Sequence, residues 1–109
     1  MNSPTQRSLA YLRKLGYTCA ITEYWNQWAK IRQDLFGFCD IVAIKNGETV
    51  CVQACAGSSS AARVDKIKSH KNYLIVRQAG WKILVIGWRK LKVKRGKKAM
   101  HWEEKLIEL

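Results

Sequence analysis

An α/β fold built on one mixed sheet is what this sequence predicts, and three observations predict it. Asn46-Gly47 sits between two apolar, β-prone runs at residues 40–45 and 48–55. Asn-Gly in that setting is the strongest short-range hairpin signal, because both residues tolerate the positive φ of a type I′ turn. Ser58, Ser59 and Ser60 offer N-cap oxygens to a long helix running to about Ala79. Gly80 closes that helix, and the apolar run at residues 81–87 reads as a buried strand. A helical crossover of that length suits parallel pairing of the two strands it joins.

The remaining elements follow in chain order. Ser3-Pro4 is an N-cap with a proline in the first turn. Leu9, Leu12 and Leu15 recur at helical spacing, and Gly16 is placed to end that helix. Residues 17–22 are β-prone and form a strand ending near Glu23. Residues 25–34 mix aromatics with Lys30 and Arg32 and favour no one element. Beyond Trp88 there is room for one or two further strands or a short helix. The order is α-β-β-β-α-β with a basic C-terminal extension, and 109 residues suit a single domain, 1–109.

Composition narrows the function classes. With 48% hydrophobic and 26% charged residues the chain can bury a core, which excludes global disorder. No apolar run approaches the roughly 18–20 residues that span a bilayer, and the N-terminal stretch has no signal-peptide pattern. The expectation is a soluble, cytoplasmic protein with no membrane partner. Twenty Lys and Arg against eight Asp and Glu give a net charge of +12, which points to a polyanion. Seven of the ten residues 89–98 are basic, Arg89 and Lys90 leading the run. A solubilising surface tail is the plainer reading of the same residues. Cys19, Cys39, Cys51 and Cys55 contain no CxxC pair, so structural thiols in a reducing compartment are expected rather than zinc.

The hairpin locates a candidate site. If Asn46 and Gly47 are the loop, Lys45 faces Glu48 and the register places Asp40 opposite Gln53. Directly opposed residues share a sheet face with Cβ atoms roughly 4.5–5.5 Å apart. Val42, Ile44, Cys51 and Cys55 lie on that face, so a lone carboxylate there would be costly to bury. A divalent cation held by Asp40 and the Gln53 side-chain oxygen would offset that cost. Pairing of Asp40 with Arg32 or Lys30 would do the same without a metal.

At these residues the chain resembles the PD-(D/E)xK nuclease superfamily, over roughly residues 3–88. The segments carrying the likeness are RQDLFGFCD at residues 32–40, VQAC at 52–55, ARVDK at 62–66 and GWRK at 87–90. They look like small phage-type proteins of that superfamily, which are related by fold to archaeal-type Holliday junction resolvases. The resemblance implies a restriction-endonuclease-like αβββαβ core and a Mg²⁺-dependent (or Mn²⁺-dependent) DNA endonuclease. It also implies Asp40 opening the second core strand and Gln53 in the position of the usual acidic residue. Cys55 stands where the superfamily has its Lys. A Lys supplied from the following helix, Lys66 or Lys68, would replace it, and Lys66 is the choice from the ARVDK pattern.

On this reading Asp40, Gln53 and Lys66 are catalytic, and Asp34 and Glu23 join Asp40 and Gln53 as metal ligands. Asp34 could equally cap the turn at residues 35–37, and Glu23 could pair with a nearby Arg or Lys. Lys30, Arg32, Arg63, Lys68, Arg89 and Lys90 would track phosphates, setting position more than sequence. Trp25 and Trp28 are candidates for stacking on an unpaired base or packing at a dimer seam, although core packing is the leading expectation for them as it is for Trp81 and Trp88. Symmetric cutting of a four-way junction needs two active sites, hence an expected homodimer, by analogy alone. A general repair or replication nuclease, and a binding module that has lost catalysis, are the alternatives.

Overall fold

The computed structural model describes residues 3–92 and 100–109. Helix α1 (Pro4–Lys14) starts where the Ser3 side chain accepts the Gln6 N–H at 3.2 Å. It buries Ser8, Leu9 and Leu12 on one stripe, as expected from the leucine spacing. Leu15 is the C-cap, and Gly16, at φ +95°, turns the chain into β1 (Thr18–Ile21). Residues 24–33, of ambiguous sequence, form a small separate hairpin, β2 (Tyr24–Asn26) with β3 (Ile31–Gln33). Its turn is held by the Asn26 side chain, which accepts the N–H groups of Trp28 and Ala29, each at 3.0 Å.

Strands β4 (Ile41–Lys45) and β5 (Glu48–Ala56) form the hairpin signalled by Asn46-Gly47, with Lys45 facing Glu48 and both turn residues at positive φ. The chain then crosses over, and β6 (Lys82–Lys92) lies parallel to β5. The crossover departs from the expected single helix. A 3₁₀ turn (Gly57–Ser59) leads into α2 (Ser60–Lys68), and α3 (Tyr73–Gln78) follows a break. At that break the Ser69 hydroxyl bonds back to the carbonyls of Asp65 and Lys66, and the His70 ring accepts the Asn72 N–H. Such local side-chain bonds compete with the helical ladder and end it.

The final strand β7 (Met100–Glu108) pairs antiparallel with β6, so part of the basic extension is a sheet edge. The basic residues among 93–99 lie outside the described residues. The five-stranded sheet runs β1-β4-β5-β6-β7 and is mixed, as predicted for this α/β chain. Alternation along its strands divides the core in two. Leu9, Leu12, Ile41, Ala43, Val50, Val52, Ile86 and Trp88 pack under α1, and a buried bond from Trp88 Nε1 to Ser8 Oγ (2.9 Å) fastens that helix. Phe38, Cys51, Cys55, Ile67, Val76, Ile83 and Val85 pack on the other face under α2 and α3. Among the described residues no helix is long and apolar enough to cross a membrane.

The cysteines correct an expectation. Cys39 and Cys51 form a disulfide, while Cys19 and Cys55 are free. Strict alternation would set Cys39 on the face away from Cys51. A bend at Asp40 and the Leu35–Cys39 bridge break the alternation and turn Cys39 onto the α2 side. Gly37 makes that approach possible: its φ is +92°, and a Cβ there would run into the His70 ring.

Candidate active site

Asp40 is held between two neighbours before its side chain is considered. Its N–H donates to the Val52 carbonyl at 2.9 Å, and its carbonyl accepts the Thr22 N–H at 2.8 Å. The side chain, only 4% exposed, accepts two hydrogen bonds on Oδ2, from Gln53 Nε2 at 2.7 Å and from the Ala54 N–H at 3.0 Å. Asp40 and Gln53 therefore meet across the hairpin as the register required. Neither Arg32 nor Lys30 pairs with Asp40 among the described residues; Arg32 lies 3.6 Å from Glu23 instead.

Two more carboxylates converge on Asp40. Glu23 follows β1, and Asp34 opens the turn that Gly37 makes possible; one oxygen from each lies within 4.8 Å of the others and of Asp40. Burial raises the Asp40 carboxyl from 3.8 to about 7, helped by a hydrogen bond with the Asp34 carboxyl. The Ala54 N–H opposes this rise, and repulsion from Asp34 and Glu23 adds to it. Gln53, at 2% exposure, spends its amide nitrogen on Asp40, so its oxygen Oε1 is buried without a partner. An orphaned buried carbonyl oxygen costs about 1–3 kcal/mol in ordinary cases.

These four residues line an open cleft of about 330 Å³, which Pro4 and Thr5 of α1 and Ser59 and Arg63 of the α2 segment also border. The start of α2 reaches the cleft because Gly87 and Gly57 pass closely: a Cβ on Gly87 would stand 3.2 Å from the Gly57 Cα. Cys55 lies at the cleft too, its thiol pushed up by burial, with Arg63 opposing and Asp40 adding to the shift. Arg63, expected on phosphates, is thus the basic side chain of the cleft. Lys66 is exposed one turn further along α2 and is not part of the cleft lining, and Lys68 is exposed beyond it.

The other expected phosphate contacts are dispersed. Lys30 is exposed in the β2–β3 turn at φ 56°, Arg89 pairs with Glu103 at 3.5 Å, and Lys90 lies beside Trp102. Trp25 and Trp28 are 56% and 98% exposed, so they are not the core residues expected but sit on the small β2–β3 hairpin, while Trp88 is buried as expected and Trp81 half-buried. Thr5 and Ser59 were not singled out from the sequence. Their helix starts were legible, but not the convergence of those starts on Asp40.

The chain matches no protein-family model. No curated protein and no solved structure matches it either. Chemically, three carboxylates and an unpartnered amide oxygen form an oxygen-rich donor set of the kind hard divalent cations select. Oxygen-only donors do not suit zinc, and neither Cys55 nor a histidine belongs to the cluster.

Proposed function

We propose that this protein is a Mg²⁺-dependent (or Mn²⁺-dependent) endonuclease that hydrolyses phosphodiester bonds in DNA, with branched four-way junctions as its substrate and a homodimer as its working form. The observation that carries the reading is the buried, unpartnered Gln53 Oε1 beside three mutually close carboxylates. Four oxygen donors in one cleft, with burial above all, and the neighbouring acids in addition, raising one of them to about 7, fit a divalent cation better than they fit one another. The order α1–β1–β4–β5–α2–β6, with β5 parallel to β6, agrees with the restriction-endonuclease-like core implied by the sequence resemblance.

Asp40, Gln53, Asp34 and Glu23 would hold the cation. Bound there, Mg²⁺ would supply charge neutralisation at the scissile phosphate and activation of water for hydrolysis. Arg63 would orient a phosphate oxygen and offset charge that develops on it. Cys55, in the position of the superfamily Lys, keeps its proton at neutral pH because burial raises its pKa, so it supplies no charge. That same residue favours a second reading, a nucleic-acid-binding module without catalysis.

The test is cleavage of a labelled four-way junction beside linear duplex and single-strand controls, in Mg²⁺, Mn²⁺ or EDTA, with wild type and Asp40→Ala. Paired, metal-dependent cuts near the branch point, lost in Asp40→Ala, are the expected result. Equal degradation of linear DNA would shift the reading to a general nuclease. Binding without cutting in either metal would leave the binding module.

A further inference from the structure

A second cleft, on the α1 side of the sheet, has a different chemistry from the acidic one. It measures about 670 Å³ and lies between α1 and the β6–β7 hairpin. Arg7, Ala10, Tyr11 and Lys14 border it from α1, and their spacing sets them on a single helical stripe. Trp88 and Lys90 of β6, with Trp102 and Glu104 of β7, form the other wall. Trp88 pairs with Glu104 and Lys90 with Trp102 in the strand register, so all four share one sheet face.

The wall combines aromatic surface with unpaired cations. The Arg7 guanidinium stacks over the Trp102 ring at 3.5 Å from its centroid, and Lys90 Nζ lies 5.8 Å from the same ring. Stacking fixes the guanidinium plane and leaves its in-plane N–H groups free to grip a phosphate. Among the described residues none of Arg7, Lys14 and Lys90 takes part in an ion pair, and Glu104 is the one acid in the wall. The opposite face of the hairpin differs: there Glu103 pairs with Arg89 and with His101. Trp102 remains 42% exposed despite its stacked arginine, and Tyr11 is half-buried.

We propose that this cleft binds an unpaired nucleic-acid strand, with Arg7, Lys14 and Lys90 on successive phosphates and Trp102 with Tyr11 against a base. A duplex hides its base faces, so it would use the cations and leave the aromatic surface idle. Cations interleaved with accessible aromatic rings are the pattern that fits a single strand. Helix α1 borders both clefts, and Thr5 at the acidic cleft and Lys14 are separated by roughly 14 Å along its axis. The two clefts thus share one helix, with Thr5 on a different side of it from the Arg7–Lys14 stripe. The binding itself needs neither metal nor cleavage, so it stands or falls separately from the nuclease reading.

The experiment is fluorescence anisotropy of a labelled oligothymidylate and of a hairpin duplex of equal charge, both in EDTA. Wild type is compared with Trp102→Ala, Trp102→Phe, Lys90→Gln and Arg89→Gln. Trp102→Ala is expected to weaken single-strand binding roughly ten-fold while changing duplex binding less than about two-fold. Trp102→Phe should recover most of that loss, and circular dichroism of each variant should match wild type. Lys90→Gln should lower the salt slope of single-strand binding by about one, and Arg89→Gln should leave it unchanged. Wild-type affinity of folded Trp102→Ala for the single strand would overturn the proposal. Equal losses for single strand and duplex would also overturn it, since the aromatic wall would then read nothing. Should Trp102→Ala fail to fold, Lys90→Gln against Arg89→Gln decides alone: equal salt slopes overturn the proposal.

Discussion

Asp40 carries two opposed demands, and its titration exposes them. Its pKa is raised in the folded protein, so the native state keeps a proton that the unfolded chain releases near 3.8. Between those two values the folded state binds more protons, and stability falls as pH rises toward about 7. In EDTA, thermal unfolding of wild type should therefore drop between about pH 5 and pH 8 more steeply than that of Asp40→Asn. At the upper end Asp40→Asn should be the more stable by about 1 kcal/mol, or roughly 4–8 °C. A divalent cation competes with the proton, so added Mg²⁺ or Mn²⁺ should stabilise wild type more at about pH 8 than at pH 6, and Asp40→Asn at neither. Parallel pH profiles for the two proteins would show that Asp40 does not feel its neighbours. Arg63 and Lys66 supply a second contrast at this level. Only Arg63 borders the cleft, so Arg63→Ala should cost cleavage roughly a hundred-fold and Lys66→Ala only a few-fold, read from single-turnover rates. The reverse order would return the role to the ARVDK lysine.

Secondary elements show why some of this was readable and some was not. The β4–β5 hairpin could be read to the residue because Asn46-Gly47 fixes the turn, the turn fixes the register, and the register delivers Asp40 to Gln53. Strands β2 and β7 could not be read in the same way. Most of their side chains are exposed, so neither displays the alternation that a half-buried strand writes into sequence. The break after α2 was hidden for another reason: Ser69 and Asn72 look tolerable within a helix until their side chains find backbone partners, Asn72 bonding the Phe36 carbonyl at 3.0 Å. The Cys39–Cys51 link depended on a bend that composition does not announce. It closes a loop with a sequence separation of 12, immediately beside Asp40. Chain-entropy arguments give such a loop about 3 kcal/mol of stabilisation. Reduction with dithiothreitol should lower the denaturant midpoint accordingly, and a Cys39→Ser, Cys51→Ser double variant should match the reduced wild type and ignore the reductant. A wild type indifferent to reductant would mean that the two sulfurs stay as thiols in solution.

Over the whole molecule, the net charge of +12 was plain from the sequence, but its distribution was not. Several cations are committed to local partners: Arg32 to Glu23, Lys82 to Glu48 and Glu108, and Arg89 to Glu103. Exposed pairs of this kind add little stability, yet each cancels charge that a phosphate would otherwise meet. The positive side chains without an ion pair, among the described residues, include Arg7, Lys14, Lys90 and Arg63, and three of these border one cleft. The unpaired charge is therefore spread over both sides of the sheet: Arg7, Lys14 and Lys90 border the α1 cleft, while Arg63, Lys66, Lys68, Lys71 and Arg77 lie on the crossover segment. Glu23, Asp34 and Asp40 form the one cluster of three acids among the described residues. If about five phosphates are neutralised, affinity for nucleic acid should fall roughly 500-fold between about 50 and 200 mM salt. Lys90→Gln should shallow that dependence and Arg89→Gln should not, because Arg89 already has its counter-charge in Glu103. A salt slope near zero would assign the excess charge to solubility, and the cleft along α1 would then have to find its partner by packing alone.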